Sequence, residues 1–249
     1  GDSFTQGFCV NRPNDISSIL RNLSSKPVLN LGMSGNGPLI EYATLREYLN
    51  TKVKKVLWIY YEGNDLRNLK NEIKNNILIN YINDLNFTQN LKLKQNDIDN
   101  LLSNLIKEIA IESEIERKKE ENTFLFKLIK FIKIYNTRPL ILPAATPAPA
   151  PELKKILQLT KELTNKNNSE FYFVYLPEYN RYTKTYDNTN YNLVKNIVTE
   201  LKIPFIDIHK EAFEKEENPL KLFPFELYGH YNVIGYKKVA ETIYKFTKD

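Results

Sequence analysis

The apolar positions of this chain follow two periods. Val56-Leu57-Trp58-Ile59-Tyr60-Tyr61 and Phe171-Tyr172-Phe173-Val174-Tyr175-Leu176 are unbroken apolar and aromatic runs, the pattern of strands buried on both faces. Pro27-Val28-Leu29-Asn30-Leu31, which ends at Gly32, and Phe205-Ile206-Asp207-Ile208 are shorter runs and are predicted as two further strands. Between them the period changes to that of a helix. Ile16 to Leu23 follows Asn14 and Asp15, either of which suits an N-cap. Pro38 opens a helix carrying Leu39, Ile40, Ala43, Leu45 and Leu49, since its missing N–H and fixed φ suit the first helical position. Helices are also predicted over 152–166, 190–201 and 232–246, the last turning Val233, Ile234, Val239, Ala240 and Ile243 inward. Strands alternating with helices predict an α/β fold with a parallel sheet.

From Leu66 to Pro151 that alternation stops. Ile98, Leu101, Leu102, Leu105, Ile106 and Ile109 recur at helical spacing, a charged stretch runs from Glu112 to Glu121, and a second apolar segment spans 124–135. The Ala-Thr-Pro-Ala-Pro-Ala-Pro run before Glu152 is extended, because successive prolines exclude helix. The organisation expected is one domain over 1–249 with a helical insertion at about 66–151. Lys127, Lys130 and Lys133, interleaved with Phe124, Leu128, Phe131, Ile132 and Tyr135, suggest either a helix packed on the body with its lysines outward or a basic, Phe-rich face for an anionic membrane surface or a lid.

Composition narrows the classes. With 249 residues, 42% apolar and 12% aromatic, the chain is long and apolar enough for a packed core. A net charge of +5, scattered among glutamates and asparagines, does not form the basic stripe of a nucleic-acid binder. One cysteine, Cys9, allows no intrachain disulfide and is expected to be a small buried residue near the first helix. One cysteine and two histidines build no zinc site without several carboxylates, and neither a P-loop nor a dinucleotide fingerprint is present, so no cofactor is expected. No strand precedes the first turn. The native chain is therefore expected to extend upstream, where the first strand and any signal or anchor, and with it the compartment, would be encoded.

Four short stretches carry candidate chemistry: Gly1-Asp2-Ser3-Phe4-Thr5-Gln6-Gly7, Asn30-Leu31-Gly32-Met33-Ser34-Gly35, Glu62-Gly63-Asn64-Asp65 and Gly229-His230-Tyr231-Asn232. In chain order they supply a hydroxyl, a backbone donor at a glycine, a side-chain amide and an imidazole. Acyl transfer needs a nucleophile, oxyanion donors and a base. In content and order the stretches resemble the blocks of the SGNH (GDSL-like) hydrolase family, and the resemblance runs from one end of the chain to the other. It implies a three-layer, flavodoxin-like fold. It also implies Ser3 as nucleophile, His230 as base, and the backbone N–H groups of Ser3 and Gly35 with the Asn64 amide as oxyanion donors. The activity implied is serine-esterase hydrolysis of a carboxylic ester on a small molecule, lipid or glycan. The alternatives are O-acyl transfer through the same acyl-enzyme, or a binding module that has kept the fold.

One departure from the family pattern concerns the acid. The aspartate usual three residues before the histidine is replaced by Leu227, and two before it stands Tyr228. Glu226, Asp207 and a backbone carbonyl remain open as the group that orients His230. His209, after the strand at 205–208, is read as a surface or capping residue in preference to one lining the cleft. Ser34 in Gly32-Met33-Ser34-Gly35-Asn36 falls short of a Gly-x-Ser-x-Gly elbow because Asn36 holds the closing position.

Overall fold

The computed structural model describes residues 1–121, 147–183 and 185–248, and the side chains of 115–121 are not among what it describes. It divides into two units, Gly1–Phe87 with Thr146–Asp249, and Thr88–Ala145.

The first unit is mixed α/β. Its sheet holds three parallel strands in the order β1-β2-β3: β1 (Lys55–Tyr61), β2 (Glu170–Leu176) and β3 (Phe205–Asp207). Lys55 lies opposite Glu170 and Tyr61 opposite Leu176, while Phe173 lies opposite Phe205. Side chains alternate across a strand, and both faces of this sheet are covered. Trp58, Tyr60, Phe171, Phe173 and Tyr175 point into one apolar layer. There they meet α3 (Pro38–Tyr48), α4 (Asp65–Glu72), α5 (Asn76–Asn83), α7 (Pro151–Lys166) and α8 (Thr189–Glu200). Ile59, Tyr61, Val174, Leu176 and Ile206 point into the other, against α2 (Ile16–Ser24) and α10 (Val233–Thr247). Burial on both faces is why the two long strands read as continuous apolar runs.

The helix starts have local causes. Asp15 caps α2 by accepting from Ser18 N, and Asn232 caps α10 by accepting from Gly235 N. The N-terminus of α3 is capped from a distance, with Glu72 Oε1 and Oε2 accepting from Gly37 N at 2.6 Å and Leu39 N at 3.0 Å.

Two predicted strands differ from what forms. Residues 28–31 are not a strand. Leu29 and Leu31 are exposed, and the backbone bonds side chains instead: Val28 O accepts from Arg21 Nε at 2.9 Å, and Gly32 N donates to Asn30 Oδ1 at 2.8 Å. A ladder needs a neighbouring strand, and none lies beside this segment among the described residues. Ile208 does not extend β3, because Asp207 caps the short helix α9 (Ile208–Glu211) by accepting from Lys210 N.

In the second unit, α6 (Gln95–Glu121) is a single helix along which Leu101, Leu102, Leu105, Ile106 and Ile109 are exposed. The helices α4 and α5, which the periodicity assigned to an insertion beginning at 66, pack with the first unit. The Phe-rich segment 124–135 lies outside the described residues. No described helix is long and apolar enough to cross a membrane.

Candidate active site

Ser3 opens the first helical turn, α1 (Ser3–Gln6), and is buried. Asp2 caps the turn, its Oδ1 accepting from Phe4 N at 2.9 Å. Gly7 ends the turn at φ +87, a left-handed conformation suited to glycine, and a Cβ there would stand 2.5 Å from Asp15 Cβ. The chain therefore reverses tightly between Ser3 and α2.

The loop 30–36 is tied to this turn. Asn30 Nδ2 donates to Thr5 O at 2.6 Å, Ser34 N to Gln6 Oε1 at 2.9 Å, and Met33 N to Gly1 O at 3.2 Å. Gly35, at φ +88, is open on its side-chain side. Its carbonyl and that of Asn36 accept from Asn68 Nδ2 of α4, at 3.4 and 3.1 Å. Asn64, at the head of α4, makes no side-chain cap bond, and its Oδ1 is buried without a hydrogen-bond partner. Its amide does interact with the carboxylate of Asp2. The first three sequence stretches thus converge, although they lie far apart in the chain.

His230 completes the group. Its Nε2 is 2.8 Å from Ser3 Oγ, against 3.5 Å from that hydroxyl to Asp2 Oδ2. The shorter contact decides where the hydroxyl is engaged. Both neighbours of the histidine are anchored. Tyr231 is fully buried and donates its hydroxyl to Pro177 O at 2.5 Å, and Asn232 Nδ2 donates to Lys221 O at 2.7 Å. Phe4 lies 4.4 Å from the imidazole centre and Phe8 5.0 Å. Phe4 also stacks on Tyr61 at 3.9 Å, which ties the site to the end of β1. Burial pushes the imidazole below its ordinary pKa, with the charge of Asp2 pulling the other way. The ring is therefore neutral at pH 7 and able to accept a proton.

The two carboxylates considered from the sequence are not brought to this ring. Glu226 Oε2 accepts from Asn218 Nδ2 at 3.2 Å, and its carbonyl accepts from Tyr179 at 2.8 Å. Asp207 is committed to Tyr191 and to its cap bond with Lys210 N. The group at His230 Nδ1 is Cys9 Sγ, 3.9 Å away. Cys9 was expected to be buried. It is exposed, and its backbone adopts φ 71. His209 is the converse case, buried with its Nδ1 2.9 Å from Tyr182 Oη and its pKa pushed down to about 4 by burial.

One further element had no signal in the sequence. Glu62, next to Gly63-Asn64, forms a buried two-pronged pair with Arg181, Nε–Oε1 2.8 Å and Nη2–Oε2 2.6 Å. The same carboxylate accepts from Tyr175 Oη at 2.6 Å and Glu178 N at 2.7 Å. This network joins the ends of β1 and β2 beside the site. Among the described residues, no cluster of His, Cys, Asp or Glu could hold a metal ion.

No family model matches the chain, and no curated protein matches it. Among solved structures, the chain is similar to a candidate lipolytic protein of the G-D-S-L family from Desulfitobacterium hafniense DCB-2. The identity is 14% and the TM-score 0.49, over 98% of this chain and 95% of that one.

Proposed function

We propose that this protein is a serine esterase in which Ser3 is the nucleophile and His230 the general base. The observation that carries the reading is the 2.8 Å contact between His230 Nε2 and Ser3 Oγ, made by residues from opposite ends of the chain. The imidazole takes the proton of Ser3 as Oγ bonds to the ester carbonyl carbon. The carbonyl oxygen becomes an oxyanion, received by the backbone N–H groups of Ser3 and Gly35 and by the Asn64 amide. Collapse expels the alcohol, which takes the proton from Nε2 and leaves an acyl group on Ser3. Water, activated by the same imidazole, then releases the acid. The left-handed backbone of Gly35 is consistent with a donor held for a ligand, and the Asn64 amide, set against the Asp2 carboxylate next to Ser3, stands beside the nucleophile. An O-acyltransferase would follow the same steps with an alcohol in place of water.

The test is hydrolysis of p-nitrophenyl acetate together with labelling by a fluorophosphonate. Ser3→Ala and His230→Ala should each lower turnover by at least ~10³-fold while circular dichroism stays unchanged, and the probe should attach to Ser3. The carboxylate-free Nδ1 of His230 favours a second reading, a binding module that has kept the fold. A well-folded protein that the probe does not label would support that reading and refute the first.

A further inference from the structure

We infer that Cys9 is a positioning residue: its sulfur accepts the Nδ1–H of His230 and holds the ring in the tautomer whose Nε2 lone pair faces the Ser3 hydroxyl. The inference rests on the Ser3–His230 reading above, and its test separates the two.

Four observations carry it. First, Cys9 Sγ lies 3.9 Å from His230 Nδ1, the edge of the ring opposite the Ser3 contact. This is a long contact even for sulfur. Catalytic hydrogen bonds are often loose before substrate arrives and tighten with it.

Second, Cys9 sits at φ 71, a conformation that costs a residue with a side chain about 1–2 kcal/mol. The surroundings impose it, because Val10 N bonds back to Gly7 O at 3.3 Å and Phe8 O accepts from Tyr236 Oη at 3.0 Å. Strain of this kind persists where neighbouring contacts over-determine the backbone, and it concentrates at functional positions.

Third, Phe4 and Phe8 both pack on the imidazole and restrict how far it can turn. Fourth, Glu226 and Asp207 are engaged elsewhere, so the sulfur meets the nitrogen where an orienting carboxylate stands in a triad.

The proton count is simple. When Ser3 attacks, its O–H bond breaks and Nε2–H forms, while Nδ1–H stays in place. The positive charge then on the ring lies against a polarisable sulfur. Departure of the alcohol removes the Nε2 proton and restores the starting tautomer. A cysteine sulfur is a weaker acceptor than a carboxylate. Its effect should therefore approach that of one ordinary hydrogen bond, roughly 5–10-fold in kcat, far below the ~10⁴ of a buried aspartate.

The direct test is nitrogen NMR of histidine-labelled protein, which reads the tautomer whether or not the protein turns over an ester. In wild type above pH 7, His230 should carry its proton on Nδ1. In Cys9→Ala it should shift toward the Nε2–H form. In Cys9→Asp it should remain Nδ1–H and titrate at higher pH than in wild type. The left-handed backbone tolerates aspartate. If Cys9→Ala fails to fold, Cys9→Gly, which that backbone favours, serves in its place. With p-nitrophenyl acetate, kcat should fall 5–10-fold in Cys9→Ala at unchanged KM and recover in Cys9→Asp. An Nε2–H tautomer in wild type, or tautomer populations and kcat unchanged in Cys9→Ala, overturns the inference. Failure of the probe to label Ser3 while the wild-type tautomer is as expected overturns the esterase reading and leaves the Cys9 contact standing.

Discussion

Replacing Arg181 by methionine should destabilise the protein by about 4 kcal/mol, and the loss should depend on pH in a particular direction. Arg181 supplies two of the four donors to the Glu62 carboxylate, and its guanidinium lies 4.3 Å from the Tyr186 ring centre and 5.1 Å from that of Tyr191. Two hydrogen bonds to a charged group are worth about 1.5–3 kcal/mol each. Removing one partner of a buried pair typically costs about 3–5 kcal/mol, because the other charge is left behind. Methionine keeps part of the packing on the tyrosines, which places the net near the middle of that range. The pH signature follows from Glu62. Burial already raises its pKa above 4.5 despite the guanidinium, and without Arg181 it rises further. A carboxyl whose folded pKa lies above its unfolded value contributes stability that fades as pH rises, so the gap between variant and wild type should be smaller at pH 5 than at pH 8. Trp58 is the chain's one tryptophan and is buried on β1, so its fluorescence can follow urea unfolding. With a slope of about 2 kcal/mol per M, the midpoint should drop by about 2 M at pH 8. Adding Glu62→Gln should restore part of the loss, since no bare charge then remains. A loss below about 1 kcal/mol, well under what a broken buried pair costs, or an equal gap at both pH values would refute the argument.

Esterase turnover should rise from the acid side with its midpoint below the ordinary histidine pKa, because burial holds the His230 pKa below that value; an acid limb centred above pH 7 would contradict this. Asn64→Ala should lower kcat by roughly 10²–10³ and cost about 1.5–3 kcal/mol of stability, because it also removes the amide's hydrogen bond to the buried Asp2 carboxylate; thermal melts and kinetics measured on the same sample would check both. The His209 pKa is lowered from 6.5 to about 4, so its neutral form contributes stability that is lost as pH falls through that window. The slope should approach about 1.4 kcal/mol per pH unit, and denaturation of His209→Gln should show a shallower one.

Much of the fold is legible in the sequence because its causes are local. Double-faced burial shows as the runs at 56–61 and 171–176, Pro38 marks a helix start, and Asp15 and Asn232 announce their caps within three residues of the groups they bind. Ser3 and His230 are legible in another way, as residue types in a familiar order. Only the tertiary structure decided that the two meet. It also left 28–31 without a strand partner among the described residues, committed Glu226 and Asp207 to other bonds, and set Cys9 against the imidazole. The Glu62–Arg181 pair joins residues more than a hundred positions apart, and no period or spacing encodes such a bond. Periodicity reports which face of an element is apolar. Which polar group meets which depends on how those faces are stacked, and that is set by packing summed over the whole core.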